Sequence, residues 1–207
     1  MLDRHLHPRL KPLLHRCVGI IDKPAITPDG LTLVGFAIGV LALPFLALGW
    51  YLAALAAIVI NRLFDGLDGA LARRRGLTDA GGFLDISLDF LFYALVPFGF
   101  ILAAPELNAL AGSWLLFAFI GTGSSFLAFA ALAAKHQIDN PGYAHKSFYY
   151  LGGLTEGTET ILLFVLGCLF PEYFVVMAWV FGALCWMTTF TRIWSGYLTL
   201  KVVQRQA

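Results

Sequence analysis

Long apolar stretches, each close to the length of a membrane-spanning helix, recur from one end of the sequence to the other. A helix needs about 20 predominantly apolar residues to cross roughly 30 Å of hydrocarbon. The apolar stretches cover residues 31–46, 50–71, 82–103, 109–134, 154–169 and 173–200. We therefore predict an all-α, polytopic membrane protein with six transmembrane helices, folded as a single domain over residues 1–207.

The composition supports a membrane location and excludes an ordinary water-soluble fold. Hydrophobic residues make up 59% of the chain and charged residues 13%, the mean hydropathy is +0.77, and soluble domains carry about 25% charged residues. The net charge of +1 gives no indication of a nucleic-acid partner. Cys17, Cys168 and Cys185 have neither metal-ligand nor disulfide-framework spacing, so we interpret them as small core side chains.

The first 25 residues differ from the rest because basic residues alternate there with leucines at helical spacing. The segment has no continuous apolar core and no small-residue cleavage site, which excludes a signal peptide. We predict that residues 1–25 form an amphipathic helix in the membrane interface, ahead of a six-helix bundle over residues 31–200. A helix packed against the protein is the alternative.

The positive charges fall on one side of the predicted spans. Those outside the spans are Arg4, Arg9, Lys11, Arg16, Lys23, Arg73, Arg74, Arg75, Lys135, Lys146, Lys201 and Arg205. The opposite loops, near Gly49, Glu106 and Glu172, contain no Lys or Arg. Because cytoplasmic loops are enriched in basic residues, we predict that both termini are cytoplasmic, in the inner membrane if the source is bacterial.

Four aspartates stand out in this apolar chain. Asp65 and Asp68 are three residues apart and Asp85 and Asp89 are four apart, so each pair shares one face of a helix. The short connection over residues 74–80 makes the two helices antiparallel neighbours, which would bring all four carboxylates together. From Asp65 to the end of its helix the rise is about 12 Å, so the cluster lies below the membrane surface.

Such a cluster needs compensating charge, because one charge at the membrane centre costs about 2.5 to 3.5 kcal/mol. Arg62 and Arg73 supply two positive charges, whereas two divalent cations would balance all four carboxylates. Oxygen ligands favour Mg²⁺ or Mn²⁺ over zinc. Paired ions suit displacement at phosphorus, where Arg73 would add hydrogen bonds to phosphate. Pairing of the acids with Arg and Lys alone is the alternative.

The acidic residues belong to a longer pattern of fixed spacing. It reads Asp65-x2-Asp68-Gly69-x2-Ala72-Arg73, then seven residues, then Gly81-x3-Asp85-x3-Asp89. This pattern resembles the signature of the CDP-alcohol phosphotransferase family, also called the CDP-alcohol phosphatidyltransferases. The resemblance implies an enzyme of phospholipid synthesis in which an alcohol attacks the β-phosphorus of a CDP-linked substrate and releases CMP. The six-span length resembles the members that use CDP-diacylglycerol.

The resemblance also implies roles for individual residues. Asp65, Asp68 and Asp85 would bind two divalent cations, and Asp89 would bind one of them and act as the catalytic base. The CDP-binding residues would be Asp29, Thr32, Asp65, Gly69, Arg73, Thr78 and Gly81. Two departures from the family pattern affect these contacts. The gap after Arg73 is seven residues where eight is common, and Asp29 stands where the family frequently has Asn.

Polar residues in the second half of the chain are the candidates for binding the acceptor alcohol, and they are Lys146, Glu156, Glu159 and Arg192. A strongly basic pocket would indicate an acceptor that carries phosphate. Here two basic residues are offset by two acidic ones, so an alcohol phosphate, a polyol and an amino alcohol all stay candidates. The glutamates could also pair with Lys146 or Arg192 in a purely structural role.

Other functions are compatible with buried acids in a helix bundle. A CDP-amino-alcohol to diacylglycerol transferase shares the same motif. A divalent-cation transporter would carry acids along an ion pathway, but the second half of the chain has no counterpart to the acidic patch. An intramembrane prenyltransferase normally carries its acidic motifs on well-separated helices. The family often forms homodimers, for which the lipid-facing surfaces of the third and fourth spans are candidates.

Overall fold

The computed structural model describes residues 14, 18, 19, 21–136, 138 and 153–206. Over this part of the chain it contains helices and no strands, as predicted. The helices are α1 (Pro28–Val40), α2 (Ala42–Ala47), α3 (Tyr51–Arg75), α4 (Asp79–Ala103), α5 (Pro105–Lys135), α6 (Gly157–Leu169) and α7 (Phe174–Gln206), with a 3₁₀ turn at Pro171–Tyr173 before α7. Most of the predicted interfacial helix over residues 1–25 lies outside the described residues, and so does Lys146.

Short polar motifs fix the helix ends at the side of the molecule that carries the acids. The Oγ1 of Thr27 accepts a hydrogen bond from the Gly30 N–H at 3.1 Å and so caps α1. The Oγ1 of Thr78 accepts from the Gly81 N–H at 3.0 Å and caps α4 in the same way. Helix α3 ends at Arg75, and the next residue, Gly76, has a φ of 112°, which glycine adopts easily and other residues adopt only with strain.

Four segments are long and apolar enough to cross a membrane, and they are Pro28–Ala47, Asp79–Ala103, Pro105–Lys135 and Pro171–Val203. The chain is therefore a multi-pass membrane protein by length and composition. Helix α3 has 25 residues, or about 37 Å, but its charged residues lower its hydropathy. Helix α6 has 13 residues. The count of six spans stays a prediction.

The helices pack in two groups that α4 joins. Helix α1 packs along α3, helix α5 packs along α7, and α4 contacts α1, α2 and α5. Phe92, Phe100 and Phe164 lie at the centre with at most 2% of their surface exposed. Cys168 and Cys185 are buried, as interpreted from the sequence, and Cys17 lies outside the described residues.

The outer surface of the bundle is apolar. Leu52, Leu107 and Ile120 each expose 70% or more of their surface. Extended apolar patches on a water-soluble protein would promote aggregation, whereas a lipid environment covers them without cost. The apolar surface therefore agrees with the membrane location that the composition indicates.

Helices α3 and α4 meet through their side chains, as in the ion pair of Arg62 with Asp89. Their backbones make almost no close contact, although only a short turn joins them. Helix α1 contacts both, and its glycines allow the approach: a Cβ on Gly35 would lie 2.6 Å from Phe64 Cβ, and one on Gly39 would lie 2.9 Å from Asn61 Nδ2. The acidic side chains of α3 and α4 thus meet beside α1, whose Thr32 lines the same pocket.

Near its start the described chain also packs against α3. Val18 is 1% exposed and contacts the cluster that contains Ala70 and Leu71. A Cβ on Gly66 would lie 3.2 Å from Leu14 Cδ2. At these two positions the N-terminal segment contacts protein on the side of α3 that carries the small residues of the motif.

Candidate active site

Three of the four predicted metal ligands converge. Asp65 and Asp68 from α3 and Asp85 from α4 each offer a carboxylate oxygen, and these atoms lie within 4.8 Å of one another. Hard oxygen donors at this spacing fit Mg²⁺ or Mn²⁺, whose ligands surround the ion at about 2.0 to 2.2 Å. The donor set therefore fits the predicted metal.

Asp68 is the most buried of these acids, with 4% of its surface exposed. The hydroxyl of Thr32 on α1 donates a hydrogen bond to Asp68 Oδ2. Thr32 was predicted to contact CDP, and it lines the same pocket as the four aspartates. Helix α1 therefore contributes a polar side chain to the site as well as packing.

Asp89 lies one turn further along α4 and is held by an arginine. Arg62 Nη2 is 2.8 Å from Asp89 Oδ1, and Arg62 Nη1 is 3.7 Å from Asp65 Oδ2. The guanidinium is fixed in turn by Asn61 Oδ1, which accepts from Arg62 Nε at 2.8 Å. The Phe92 ring lies 4.7 Å from the guanidinium carbon. One arginine thus bridges an acid of each helix.

Sequence reasoning treated Arg62 only as a countercharge and missed its neighbours. Asn61 and Arg62 precede Asp65 by four and three residues, so they share its helix face. Tyr93 follows Asp89 by four residues, and its hydroxyl lies 3.5 Å from Asp89 Oδ2. The i, i+3 and i, i+4 spacing from Asp65 and Asp89 could have identified Asn61, Arg62 and Tyr93 as site residues.

The predicted CDP-binding residues lie in small groups around the acids. Arg73 folds back over Gly69, because a Cβ on Gly69 would lie 3.2 Å from Arg73 Nη1. At the start of α4, a Cβ on Gly81 would lie 3.0 Å from Asp29 Oδ1 and 2.9 Å from Thr78 Oγ1. Both glycines keep space open beside polar side chains.

The other two arginines at the end of α3 have a structural role. Arg74 Nε lies 3.0 Å from Asp22 Oδ2, and Arg75 Nη2 lies 2.6 Å from Asp22 Oδ1. Arg75 also donates to the Ile26 carbonyl oxygen at 2.5 Å. These contacts tie the segment before α1 to the end of α3.

A cavity of about 140 Å³ lies between α4, α5, the start of α6 and α7. Two of the predicted acceptor residues, Glu156 and Arg192, line it together with Tyr93, whose hydroxyl lies beside Asp89. Arg192 Nη1 donates to the Thr122 carbonyl oxygen at 3.3 Å. Two of the predicted acceptor residues thus share a cavity with Tyr93, which in turn contacts Asp89.

The two glutamates also cap α6. Glu156 Oε1 accepts from the Gly153 N–H at 3.1 Å, and Glu159 Oε2 accepts from the Glu156 N–H at 3.1 Å. Together they form a reciprocal capping box. Glu159 is not among the residues that line the cavity, so its i, i+3 spacing with Glu156 has a structural explanation.

Sequence comparison finds relatives over the whole chain. The Escherichia coli protein named inner membrane protein YnjF is 89% identical over 206 residues, which is 100% of each chain. The archaetidylinositol phosphate synthase of Pyrococcus horikoshii is 37% identical over 98 residues, covering 47% of this chain and 52% of that one.

Structure comparison finds the phosphatidylinositol phosphate synthase of Mycobacterium tuberculosis. Its crystal structure with CDP-DAG bound matches with a TM-score of 0.67 and 21% identity, over 90% of this chain and 94% of that one. A second crystal structure of that protein, in complex with manganese and citrate, matches with the same TM-score over 89% of this chain and 88% of that one. These likenesses show a shared fold.

The family model of the CDP-alcohol phosphatidyltransferases matches residues 25–194, which include every aspartate of the motif and the cavity beside Asp89. This match agrees with the resemblance of the motif and with the shared fold. The chain belongs to the CDP-alcohol phosphatidyltransferase family, a family of membrane transferases.

Proposed function

We propose that this enzyme moves a phosphatidyl group from CDP-diacylglycerol to an alcohol or alcohol phosphate and releases CMP. The observation that carries the proposal is the convergence of Asp65, Asp68 and Asp85, with Asp89 one turn away, on the family motif. The Mycobacterium tuberculosis protein of the same fold binds CDP-DAG, which supports this donor. The relatives named archaetidylinositol phosphate synthases support a role in phospholipid synthesis.

Two divalent cations, Mg²⁺ or Mn²⁺, are proposed to bind between Asp65, Asp68, Asp85 and Asp89. When bound, they would neutralise the diphosphate and stabilise the leaving CMP. The oxygen-only donor set supports hard cations, and so does the manganese in a structure of the same fold. The four aspartates and Thr32 line one pocket, which supports a shared site for these ions.

Asp89 is proposed as the base. Its carboxylate would take the proton of the acceptor hydroxyl as that oxygen bonds to the β-phosphorus and the bond from phosphorus to the CMP oxygen breaks. Arg62 holds Oδ1 at 2.8 Å, whereas Oδ2 lies 3.5 Å from the hydroxyl of Tyr93, a residue that also lines the neighbouring cavity.

The remaining site residues are proposed to bind the two substrates. Asp29, Thr32, Asp65, Gly69, Arg73, Thr78 and Gly81 would hold the CDP group, with Arg73 donating to phosphate. Lys146, Glu156, Glu159 and Arg192 would bind the acceptor. The positions of Glu156 and Arg192 in the cavity beside Asp89 support the acceptor assignment for those two.

The proposed setting is a single domain with six spans and both termini in the cytoplasm. The N-terminal helix would lie in the interface among membrane lipids, with a homodimer formed through the exposed apolar surfaces of α4 and α5. The name inner membrane protein of the Escherichia coli relative supports the location. With this orientation the site opens toward the cytoplasm.

The test is CMP release by the purified protein in detergent or liposomes. The assay contains CDP-diacylglycerol, Mg²⁺ or Mn²⁺, and a pooled panel of alcohols and alcohol phosphates. We expect CMP only when metal and acceptor are both present, and loss of activity with EDTA that added Mn²⁺ reverses.

The negative outcomes are distinguishable. CMP release with CDP-ethanolamine and diacylglycerol, but not with CDP-diacylglycerol, would replace the proposed donor. Metal uptake into liposomes without CMP release from any donor would favour a cation transporter and reject the transferase.

A further inference from the structure

Asp89 differs from the other three aspartates of the motif because a cation of the protein itself holds it. The group of carboxylates whose oxygens lie within 4.8 Å of one another consists of Asp65, Asp68 and Asp85, and Asp89 is not a member of it. Arg62 Nη2 lies 2.8 Å from Asp89 Oδ1, and Arg62 Nη1 lies 3.7 Å from Asp65 Oδ2. The four predicted ligands thus divide into a group of three and a single acid that is paired with an arginine.

Arg62 is fixed by partners other than the acids. Asn61 Oδ1 accepts from Arg62 Nε at 2.8 Å and from Nη2 at 2.5 Å, and Asn61 Nδ2 donates to the Gly35 carbonyl oxygen at 3.0 Å. The Phe92 ring centre lies 4.7 Å from the guanidinium carbon. Because 16% of the Arg62 side chain and 4% of Asn61 are exposed, the guanidinium has little freedom to leave Asp89.

A divalent cation that uses Asp89 has to compete with this arginine. An ion pair that is largely removed from water is costly to break, because each partner is left with an uncompensated charge. An ion that shares Asp89 with the guanidinium meets a like charge at short range. An ion bound by the group of three does not need Asp89, so the ion pair of Arg62 with Asp89 stays intact.

We propose that Arg62 makes the two cation positions unequal. The position formed by Asp65, Asp68 and Asp85 fills first, and the position that uses Asp89 binds its ion much more weakly. This inference rests on the proposed function and deepens it, because it makes Arg62 a positioning residue for Asp89. Metal and proton compete for the lone pairs of a carboxylate, so weak metal binding keeps Asp89 available as the proposed base.

The first test measures Mn²⁺ binding by the wild-type protein in detergent, without substrate. Electron paramagnetic resonance follows the free Mn²⁺ during a titration, which gives a dissociation constant for each position. We expect the two constants to differ at least about 30-fold, which is about 2 kcal/mol. Two equal constants would overturn the inference, and CMP release by the same preparation would leave the proposed function standing.

Substitution of single acids assigns each constant to a position. Asp68→Asn should weaken the tight position, since Asp68 belongs to the group of three. Asp89→Asn should weaken the other position and leave the tight constant within about threefold of wild type. Loss of the tight position in Asp89→Asn would overturn the inference.

Arg62→Gln tests the cause of the inequality. Repulsion between two bound ions also separates the constants, but it persists in this variant. We expect the ratio of the two constants to shrink at least about tenfold, which is about 1.4 kcal/mol. A general effect of the lost charge would tighten both positions alike. A ratio equal to that of the wild type would therefore overturn the inference.

Arg62→Lys keeps the positive charge and serves where Arg62→Gln does not fold. A lysine lacks the planar fork that holds Asn61 and Asp89 together, so the ratio should still shrink at least about threefold. Arg74→Gln, which removes an ion pair with Asp22, is the matched control and should leave both constants unchanged. Unequal binding without CMP release from any donor would reject the proposed function and leave the inequality of the two positions standing.

Discussion

At the scale of single residues, the two carboxylate oxygens of Asp89 have different surroundings. Oδ1 is held by Arg62 at 2.8 Å, whereas Oδ2 lies 3.5 Å from the Tyr93 hydroxyl. A general base needs a fixed orientation and an accessible lone pair. The contact with Arg62 fixes the orientation of the carboxylate, and Oδ2 is the oxygen that can accept the proton. The proposed roles of Asp89 and Arg62 can therefore be tested by separate substitutions.

Replacing the proposed base should abolish turnover and preserve the fold. Asp89→Asn keeps the shape and the contact with Arg62 but cannot accept a proton, so kcat should fall at least about 100-fold. The measurement is CMP release with saturating acceptor, beside a thermal-unfolding curve in detergent. Asp79→Asn, at an exposed acid in the first turn of the same helix, is the control and should stay near wild-type activity. Activity of Asp89→Asn within about threefold of wild type would exclude it as the base.

Removing the bridging arginine should make folding depend on metal. In Arg62→Gln the carboxylates of Asp65 and Asp89 lose their shared cation, which we expect to cost about 2 kcal/mol because the guanidinium is largely buried. The apparent Tm in EDTA should drop, and added Mn²⁺ should restore more of it than in the wild type.

The control for this prediction is Arg74→Gln. It removes a largely exposed ion pair with Asp22, so the change should be below about 1 kcal/mol. An Arg62→Gln protein whose Tm in EDTA equals that of the wild type would show that the ion pairs of Arg62 contribute nothing.

At the scale of helices, close packing of α1 on α3 positions the site. The Asn61 side chain donates to the Gly35 carbonyl oxygen at 3.0 Å while its oxygen holds Arg62. Thr32 on the same helix donates to Asp68. The position of α1 is therefore transmitted to both acidic pairs through hydrogen bonds.

Widening this helix contact should disable the enzyme without touching an acid. A leucine at Gly35 would push against Phe64, and overpacking of this kind costs about 1 to 3 kcal/mol. We expect Gly35→Leu to lower the Tm and to reduce the rate of CMP release more than about tenfold. The rate should fall because a shift of α1 would displace the catalytic side chains from their working positions. Ala37→Leu puts the same side chain on the exposed face of α1 and should behave as wild type. Equal activity of the two variants would show that this contact does not position the site.

At the scale of the whole molecule, the open question is which helices cross the membrane. Four segments satisfy length and hydropathy, whereas α3 carries the charges of the site and α6 is short. Charged residues inside a span are tolerated where they face a cavity or a bound ion. The proposed topology requires both α3 and α6 to cross.

Labelling from outside the cell tests this topology. Single cysteines would be introduced as Arg74→Cys, Glu106→Cys, Lys135→Cys and Glu172→Cys in a chain whose native cysteines are serine. A membrane-impermeant maleimide should label the positions of Glu106 and Glu172 in intact spheroplasts, and those of Arg74 and Lys135 only after lysis. External labelling at Arg74 would show that α3 does not cross. Protection of Glu172 until lysis would show the same for α6.

Most of the acidic site could be predicted because its spacing is local. Asp65 and Asp68 lie on one helix face, and so do Asp85 and Asp89, whatever the rest of the chain does. The convergence of three of these acids was confirmed. The two helices meet at the site, since Arg62 of α3 contacts Asp89 of α4, and α1 packs against both of them.

The sequence by itself determined the membrane class, the all-α fold and the family, since these depend on apolar length and on residues at fixed helical spacing. The bridge from Arg62 to Asp89 and the cavity between Tyr93, Glu156 and Arg192 were decided only by the tertiary structure. Their members come from helices distant in the chain. Two features decide which side chains meet at these places. Glycine-rich faces set how closely the helices approach, and caps and turns set where each helix ends. The local periodicity of the sequence does not predict which side chains from distant helices meet.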